Sequence, residues 1–371
     1  MDHALAGILL VANATSLGWA LRGEWGHWWG ATVPGVLCGM SLWLAFGETA
    51  DPWQMLAYGA ALAVSLSLGA VLSYGLLLGY ATAEPGRNTR SPLYGLLGVF
   101  LVGGLWGFFG GASLGILLTE VEYTLADLAL WAVLASLGAF LSYKLLVVGL
   151  DLHLSPPRSD AWAALLGGAL FSTAYFGLGA KDYTVLVNAY AGWAGFGGGF
   201  VLGAAIHHRG EKAGLRFSSW KFMEHSPGFF GGMSVAISSL LTAGSLPGIP
   251  LRGSAARLCV LSMLWFSTYM VVSNMVEHWT FELRRLPRMA FPGFQVLALV
   301  CSGVFIVLAE GPLNVGKGMA GQSTLFILLL TLFTALGTAK FMRRWSDLRS
   351  AVVRAMLVQF ALCLGLLALL L

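Results

Sequence analysis

The chain has 371 residues, of which 57% are apolar and only 10% charged, with a formal net charge of +4. A soluble domain carries about 25% charged residues, so this composition excludes a water-facing globular protein. The basic residues lie mostly in short loops and give no reason to expect nucleic acid as a partner.

Apolar runs of about 20 residues, enough to cross a bilayer as a helix, recur along the chain. The roughly ten-residue alternating segments of a membrane barrel are not seen in the sequence. In chain order, twelve spans are expected: 4–21, 29–47, 53–80, 93–118, 125–150, 160–178, 184–206, 227–246, 255–276, 289–308, 320–341 and 350–371. Charge, Pro and Gly mark the breaks between them. The first run, MDHALAGILL, lacks a basic n-region, so it is expected to be a retained helix and not a signal peptide. Cys38, Cys259, Cys301 and Cys363 fall inside apolar runs without metal-ligand spacing, and read as small buried hydrophobes.

Sixteen Lys and Arg residues lie in the loops after odd-numbered spans, against four (Lys181, Arg252, Arg257 and Lys317) after even-numbered ones. The positive-inside rule then places the odd loops in the cytoplasm and both termini outside, as in a bacterial-type inner membrane.

The first span runs into RGEWGHWWGATVPG (22–35), which gathers Arg22, Glu24, His27 and three Trp. Glu24 and His27 are three residues apart and share a face if helical. A carboxylate and an imidazole near a membrane mark proton or ion paths; an Arg22–Glu24 salt bridge within a Trp belt is the plainer reading. Glu-x-x-His also occurs in carboxylate-bridged metal sites, but these need two such motifs and only one is present, so no metal is expected. Trp28 and its neighbours Trp25 and Trp29 are also able to stack on a flat ligand.

Further on, Gly103, Gly107 and Gly111 have the small-xxx-small spacing of tightly packed helices, and AGWAGFGGGFVLG (191–203) is similar. Lys144 lies inside span 5 near its cytoplasmic end, where its stem can snorkel. Asn188 is an uncharged polar residue inside span 7, as are Asn13, Asn274, Gln295 and Gln359 in their spans; such groups hydrogen-bond across helices or line a cavity, and the former is expected of most of them. AIHHRGEKAGLRFSSWKFMEH (205–225) is basic with spaced aromatics, and is expected to lie on the anionic leaflet. It ends on Glu224 and His225, an acid–imidazole pair like Glu277 and His278.

The sequence also repeats itself. PGVLCGMS (34–41) and PGFFGGMS (227–234) agree at five of eight positions, at an offset of 193. LGWALRGE (17–24) resembles LGAAIHHRGE (202–211), Ser73-Tyr74 falls near the counterpart of Thr268-Tyr269, and Lys144 parallels Lys340. These matches predict an all-α integral membrane protein of about twelve transmembrane helices, in two parallel six-helix repeats, 1–178 and 179–371. The plan is similar in layout to that of major-facilitator transporters. GAAIHHRGEK (203–212) shares a glycine spacing and basic end with that family's loop motif. It departs from the motif with His207 at the acidic position and by following span 7; the termini also face the other way.

The expected function is transport of a small solute, with proton coupling by alternating access of the two halves. The partners are membrane lipids and the solute, and no cofactor is expected. The candidate pathway residues are Arg22, Glu24, His27, Trp28, Lys144, Asn188, Glu224 and His225. An integral-membrane transferase using Glu24, His27, Glu224 and His225 on a lipid-linked substrate is the alternative, followed by a structural subunit of a membrane complex.

Overall fold

The structure, a computed structural model, describes residues 2–24, 31–72, 74–82, 90–154, 160–213, 219–249, 254–282, 284–313, 318–344 and 349–371. Among the described residues the chain is all-helical. The helices are α1 His3–Arg22, α2 Thr32–Phe46, α3 Pro52–Ser67, α4 Gly75–Ala81, α5 Pro92–Leu118, α6 Leu125–Tyr143, α7 Ala161–Ala174, α8 Tyr183–Lys212, α9 Ser219–Ala243, α10 Ser254–Glu277, α11 Phe291–Leu313, α12 Met319–Arg344 and α13 Arg349–Leu370. Among the described residues, seven helical segments are long and apolar enough to cross a membrane: His3–Arg22, Pro92–Leu118, Leu125–Gly149, Ala161–Gly179, Tyr183–Lys212, Met319–Ala339 and Ala351–Leu370.

Local sequence explains several helix ends. Asp2, Ser91 and Asp182 accept backbone N–H groups at the starts of α1, α5 and α8, and Thr124 and Asp127 form a reciprocal capping box on α6. Arg209 and Lys212 close α8 against its negative dipole end. Three helical segments end alike. α6, α7 and α10 widen into i→i−5 turns over Lys144–Gly149, Tyr175–Gly179 and His278–Glu282. Each is followed by a left-handed residue, Asp151 (φ 53°), Lys181 (φ 54°) or Arg284 (φ 51°). The next N–H then bonds back six residues: Leu152 to Leu146 O, Asp182 to Phe176 O, Arg285 to Trp279 O.

Span 3 differs from expectation. The run 53–80 is not one helix but α3, a tight turn over Leu68–Val71, and α4. Ser65 and Ser67 donate back to Ala61 O (2.7 Å) and Ala63 O (2.6 Å), which bends a helix. Gly69 then lies directly against the Trp106 ring, leaving no room for a side chain.

By its contacts the chain forms two compact units, Met1–Ser67 with Ser245–Leu371, and Leu68–Gly244. In the first, α1 is packed by α2, α12 and α13, and Gln359 Nε2 of α13 donates to Ser16 Oγ of α1 at 2.8 Å. Segment 245–249 runs beside the exit of α2. Leu246 N–H donates to Phe46 O (2.8 Å) and Glu48 N–H to Leu246 O (3.2 Å). The Gln54 amide brackets Ile249 at 2.9 and 2.8 Å, and Tyr58 O–H donates to Pro247 O at 2.9 Å.

In the second unit α8 is the central helix, packed by α5 and α9. The glycine spacing read in the sequence is the α5–α8 seam: Gly103, Gly107, Gly111 and Gly115 face Phe196, Gly192, Asn188 and Val185 so closely that none has room for a Cβ. α8 runs unbroken through GFGGGF. The α6–α7 hairpin closes on Gly138 and Gly167. The outer side of α6 presents Leu130, Val133, Leu137 and Phe140, an apolar surface suited to lipid.

Candidate functional site

The expected pathway residues fall in different places. Arg22 and Glu24, at the end of α1, are buried in the first unit, with the Arg22 guanidinium 5.3 Å from the Trp19 ring centre. His27 and Trp28, with Trp25 and Trp29, lie outside the described residues. Lys144 is exposed on the last turns of the α6 segment, its ammonium 5.9 Å from the Phe140 ring. Asn188, Glu224 and His225 sit in the second unit, on α8 and α9.

The described residues of 205–225 are helical at both ends, and residues 214–218 lie outside the described residues. α8 continues to Lys212 and α9 begins at Ser219, so both ends of this stretch belong to packed helices. His207, Ser219, Lys221 and Glu224 are buried and satisfy one another or near neighbours, whereas Arg209, Glu211 and Lys212 are exposed. Glu224, only 4% exposed, accepts from Lys221 Nζ at 2.8 Å on Oε2, and Lys221 is itself 7% exposed. Its other oxygen accepts from Trp220 Nε1 at 3.2 Å and from the Tyr74 hydroxyl at 3.5 Å. Tyr74, which precedes α4, stacks on Trp220 with centroids 6.1 Å apart and meets Phe200 edge-on at 4.8 Å.

A second chain of contacts joins the same Trp220. His207 of α8 meets its ring edge-on at 5.5 Å. His207 Nδ1 lies 2.8 Å from Ser219 Oγ, and Ser219 donates to Glu211 Oε1 at 2.7 Å. A hydroxyl has one proton. Given to Glu211, it makes Ser219 the acceptor and puts the imidazole proton on Nδ1. α8, α9 and Tyr74, the residue before α4, thus hold a carboxylate, an ammonium, an imidazole, a phenol and an indole in contact, at one end of the α8–α9 hairpin.

Asn188, near the N-terminal end of α8, is fully buried. Its amide donates to Thr242 Oγ1 (3.0 Å) and Thr184 O (2.9 Å) and accepts from Ser238 Oγ (2.8 Å). This is the cross-helix bonding expected of it. His225 is half-buried, 6.2 Å from the Phe222 ring.

Sequence reading missed Lys221, Trp220 and Tyr74 as partners of Glu224. Lys221 and Glu224 do have the i, i+3 spacing of a helical ion pair; that signal was available once the stretch was read as helix. The link to Tyr74 has no local signal. Among the described residues no group of three or more His, Cys, Asp or Glu gathers to hold a metal. No family model matches the chain, and no curated protein or solved structure matches it with significance.

Proposed function

We propose that the chain is a multi-pass transporter of a small solute, coupled to protons at Glu224 and working by alternating access of two six-helix halves. One observation carries the reading: a carboxylate and an ammonium are buried together, 2.8 Å apart, in a chain whose composition and helices suit a bilayer. Ionisable groups are costly there, and they mark ion and proton routes by default. Tyr74 and Trp220 hold the carboxylate in place.

In the proposed repeat, a glycine of the preceding helix lies against the proline of each motif, though not the glycine that the LG match would pair: Gly18 of α1 lies against Pro34 of α2, and Gly199 of α8 lies against Pro227 of α9, while Gly203, the LG counterpart of Gly18, meets Ser226 and Met223. A Cβ on Gly18 or Gly199 would stand 2.7 Å from the proline Cα. The loop after α2 and the segment 245–249 are hydrogen-bonded, which agrees with placing the loops after spans 2 and 8 on one side.

The test is charge movement in proteoliposomes on a solid support, under pH and sodium steps and a panel of sugars, amino acids, carboxylates and nucleosides. Solute-dependent current lost in Glu224→Gln supports the reading, with Glu24→Gln as the parallel variant. Silence across the panel from folded protein, repeated with tracers for electroneutral flux, refutes it.

A further inference from the structure

We infer that the turn between α10 and α11 binds the headgroup of an anionic phospholipid, with arginines on the phosphate and apolar side chains in the acyl boundary. This goes beyond the transport reading and rests only on α10 and α11 crossing the bilayer as spans 9 and 10. The wide turn His278–Glu282 ends the α10 segment, and Arg284 takes a left-handed conformation (φ 51°). The N–H groups of Arg285 and Leu286 then both return to Trp279 O, at 2.8 and 3.4 Å. That closure brings the backbone of Arg285 back beside that of Trp279. The short turn Arg288–Ala290 leads into α11. The Arg288 guanidinium lies 5.8 Å from the Phe281 ring centre, and that ring meets Phe291 of α11 edge-on at 4.9 Å. Both arms of the turn thus share one aromatic and basic rim, held in place by contacts within the chain.

Two features of this rim point to a lipid. Its apolar side chains face outward: Met289 is 98% exposed, Trp279 43% and Phe281 42%. Trp is enriched at the headgroup level of a bilayer, and the Met and Phe beside it lose contact with water only by reaching the acyl boundary. The second feature is charge. Arg284, Arg285 and Arg288 are all exposed, and none forms an ion pair among the described residues. The acids of this stretch, Glu277 and Glu282, both precede the turn, so the three cations stand together after it. A guanidinium offers a planar fork that matches phosphate oxygens. A zwitterionic headgroup would bring its own cation among three arginines, so the site selects net negative charge. A soluble phosphate would engage the arginines but leave Met289 and Trp279 in water, which favours the lipid. Orienting the loop by the positive-inside rule needs the arginines but no bound lipid, so the two roles are separable.

The test uses the full-length protein, labelled with fluorotryptophan, in nanodiscs of dioleoylphosphatidylcholine. Trp279 is identified by the fluorine resonance that disappears in Trp279→Phe. Its broadening by spin-labelled phosphatidylglycerol, against the same amount of spin-labelled phosphatidylcholine, gives the enrichment of the anionic lipid at this turn. A basic residue near an anionic surface contributes about fivefold, so wild type is expected to enrich phosphatidylglycerol about 100-fold. Arg284→Gln, Arg285→Gln and Arg288→Gln should each lower that about fivefold, and each leaves two arginines to orient the loop. The combined Arg284→Lys, Arg285→Lys and Arg288→Lys variant, which keeps every charge, is expected to retain most of the enrichment. Arg90→Gln, at an exposed arginine beside Tyr94, should change nothing. Equal broadening by the two lipids, single variants that match wild type, or the same loss in Arg90→Gln would each overturn the inference. Displacement of the lipid by inorganic phosphate, but not by sodium chloride at matched ionic strength, would also overturn it, by showing a soluble-anion site instead. No readout involves flux, so a failed transport assay leaves the lipid site standing, and an absent lipid site leaves the transport reading standing.

Discussion

Two adjacent glycines in α8 provide an internally controlled test of the helix packing. A Cβ at Gly199 would stand 2.7 Å from Pro227 Cα, 2.8 Å from Ser226 O and 3.1 Å from Pro227 N; a Cβ at Gly198 would meet nothing within 4 Å. Ordinary van der Waals contact begins near 3.4 Å, so Gly199→Ala forces the α9 backbone back by about 0.7 Å. Overpacking of this kind costs about 1–3 kcal/mol. Both substitutions gain the same helix propensity, about 1 kcal/mol, and that gain cancels in the comparison. Gly199→Ala is therefore expected to be about 1–3 kcal/mol less stable than Gly198→Ala. The assay is reversible unfolding in mixed micelles by sodium dodecyl sulfate, followed by far-UV circular dichroism. Equal stabilities, within about 0.5 kcal/mol, would refute the close approach of α8 to Pro227. Gly18→Ala, which makes the same contact with Pro34, is expected to behave like Gly199→Ala.

Asn188→Ala removes the cross-helix bonds to Ser238 and Thr242, and a double-mutant cycle with Ser238→Ala is expected to return about 0.6–1.7 kcal/mol of coupling; zero coupling would show that the bond contributes nothing. Lys181 has φ 54°, where a Cβ costs roughly 1–2 kcal/mol, so Lys181→Gly stabilises and Lys181→Ala does not; identical melting of the two refutes the strain. His153 outside the membrane helices bonds to Asp160 (2.5 Å) and Asp151 (3.0 Å), and these bonds, that to Asp160 first, raise its pKa above the ordinary value of 6.5. A raised pKa stabilises the protonated form, so the clasp is complete below pH 6.5 and is lost as pH rises through the folded value. Hydrogen exchange of residues 151–154, corrected for intrinsic base catalysis, should lose protection over that upper range in wild type and show no such transition in Asp160→Asn.

Seven of the twelve expected spans coincide with helices long and apolar enough to cross a membrane among the described residues, and these were legible because apolar runs about 20 residues long have few other uses. The glycine seam was legible too: Gly103, Gly107 and Gly111 recur every fourth residue and fall on one side of a helix. The reading failed where polarity was taken as exposure. Lys221, Glu224, His207 and Ser219 belong to a stretch read as lying on the anionic leaflet, and are buried because they pair. The break in span 3 was hidden for a different reason. Neither Pro nor charge marks it; it goes with a ring, Trp106, that lies 37 residues beyond Gly69. Contacts of that kind have no signature in a local window.

The same Pro-Gly dipeptide occupies unlike positions in its two helices, and the difference carries a consequence. Pro34 is the third residue of α2, where backbone N–H groups have no intrahelical partner to lose. Pro227 lies well inside α9, which starts eight residues earlier and so carries Lys221 and Glu224. There the missing N–H deprives Met223 O of its helical bond. Ser226 Oγ lies 2.8 Å from Met223 O and 2.9 Å from Gly199 O, and its hydroxyl is the donor that covers the gap. Ser226→Ala is expected to cost about 1–3 kcal/mol, the cost of leaving a buried carbonyl unsatisfied. In a Pro227→Ala background the backbone N–H returns to Met223 O, and the cost of Ser226→Ala should fall to about 1 kcal/mol or less, that of the bond to Gly199 O alone. The two substitutions must therefore be non-additive, with Pro227→Ala rescuing Ser226→Ala. Additive stabilities, measured by the same micelle unfolding, would mean that the hydroxyl does not stand in for the proline's missing donor.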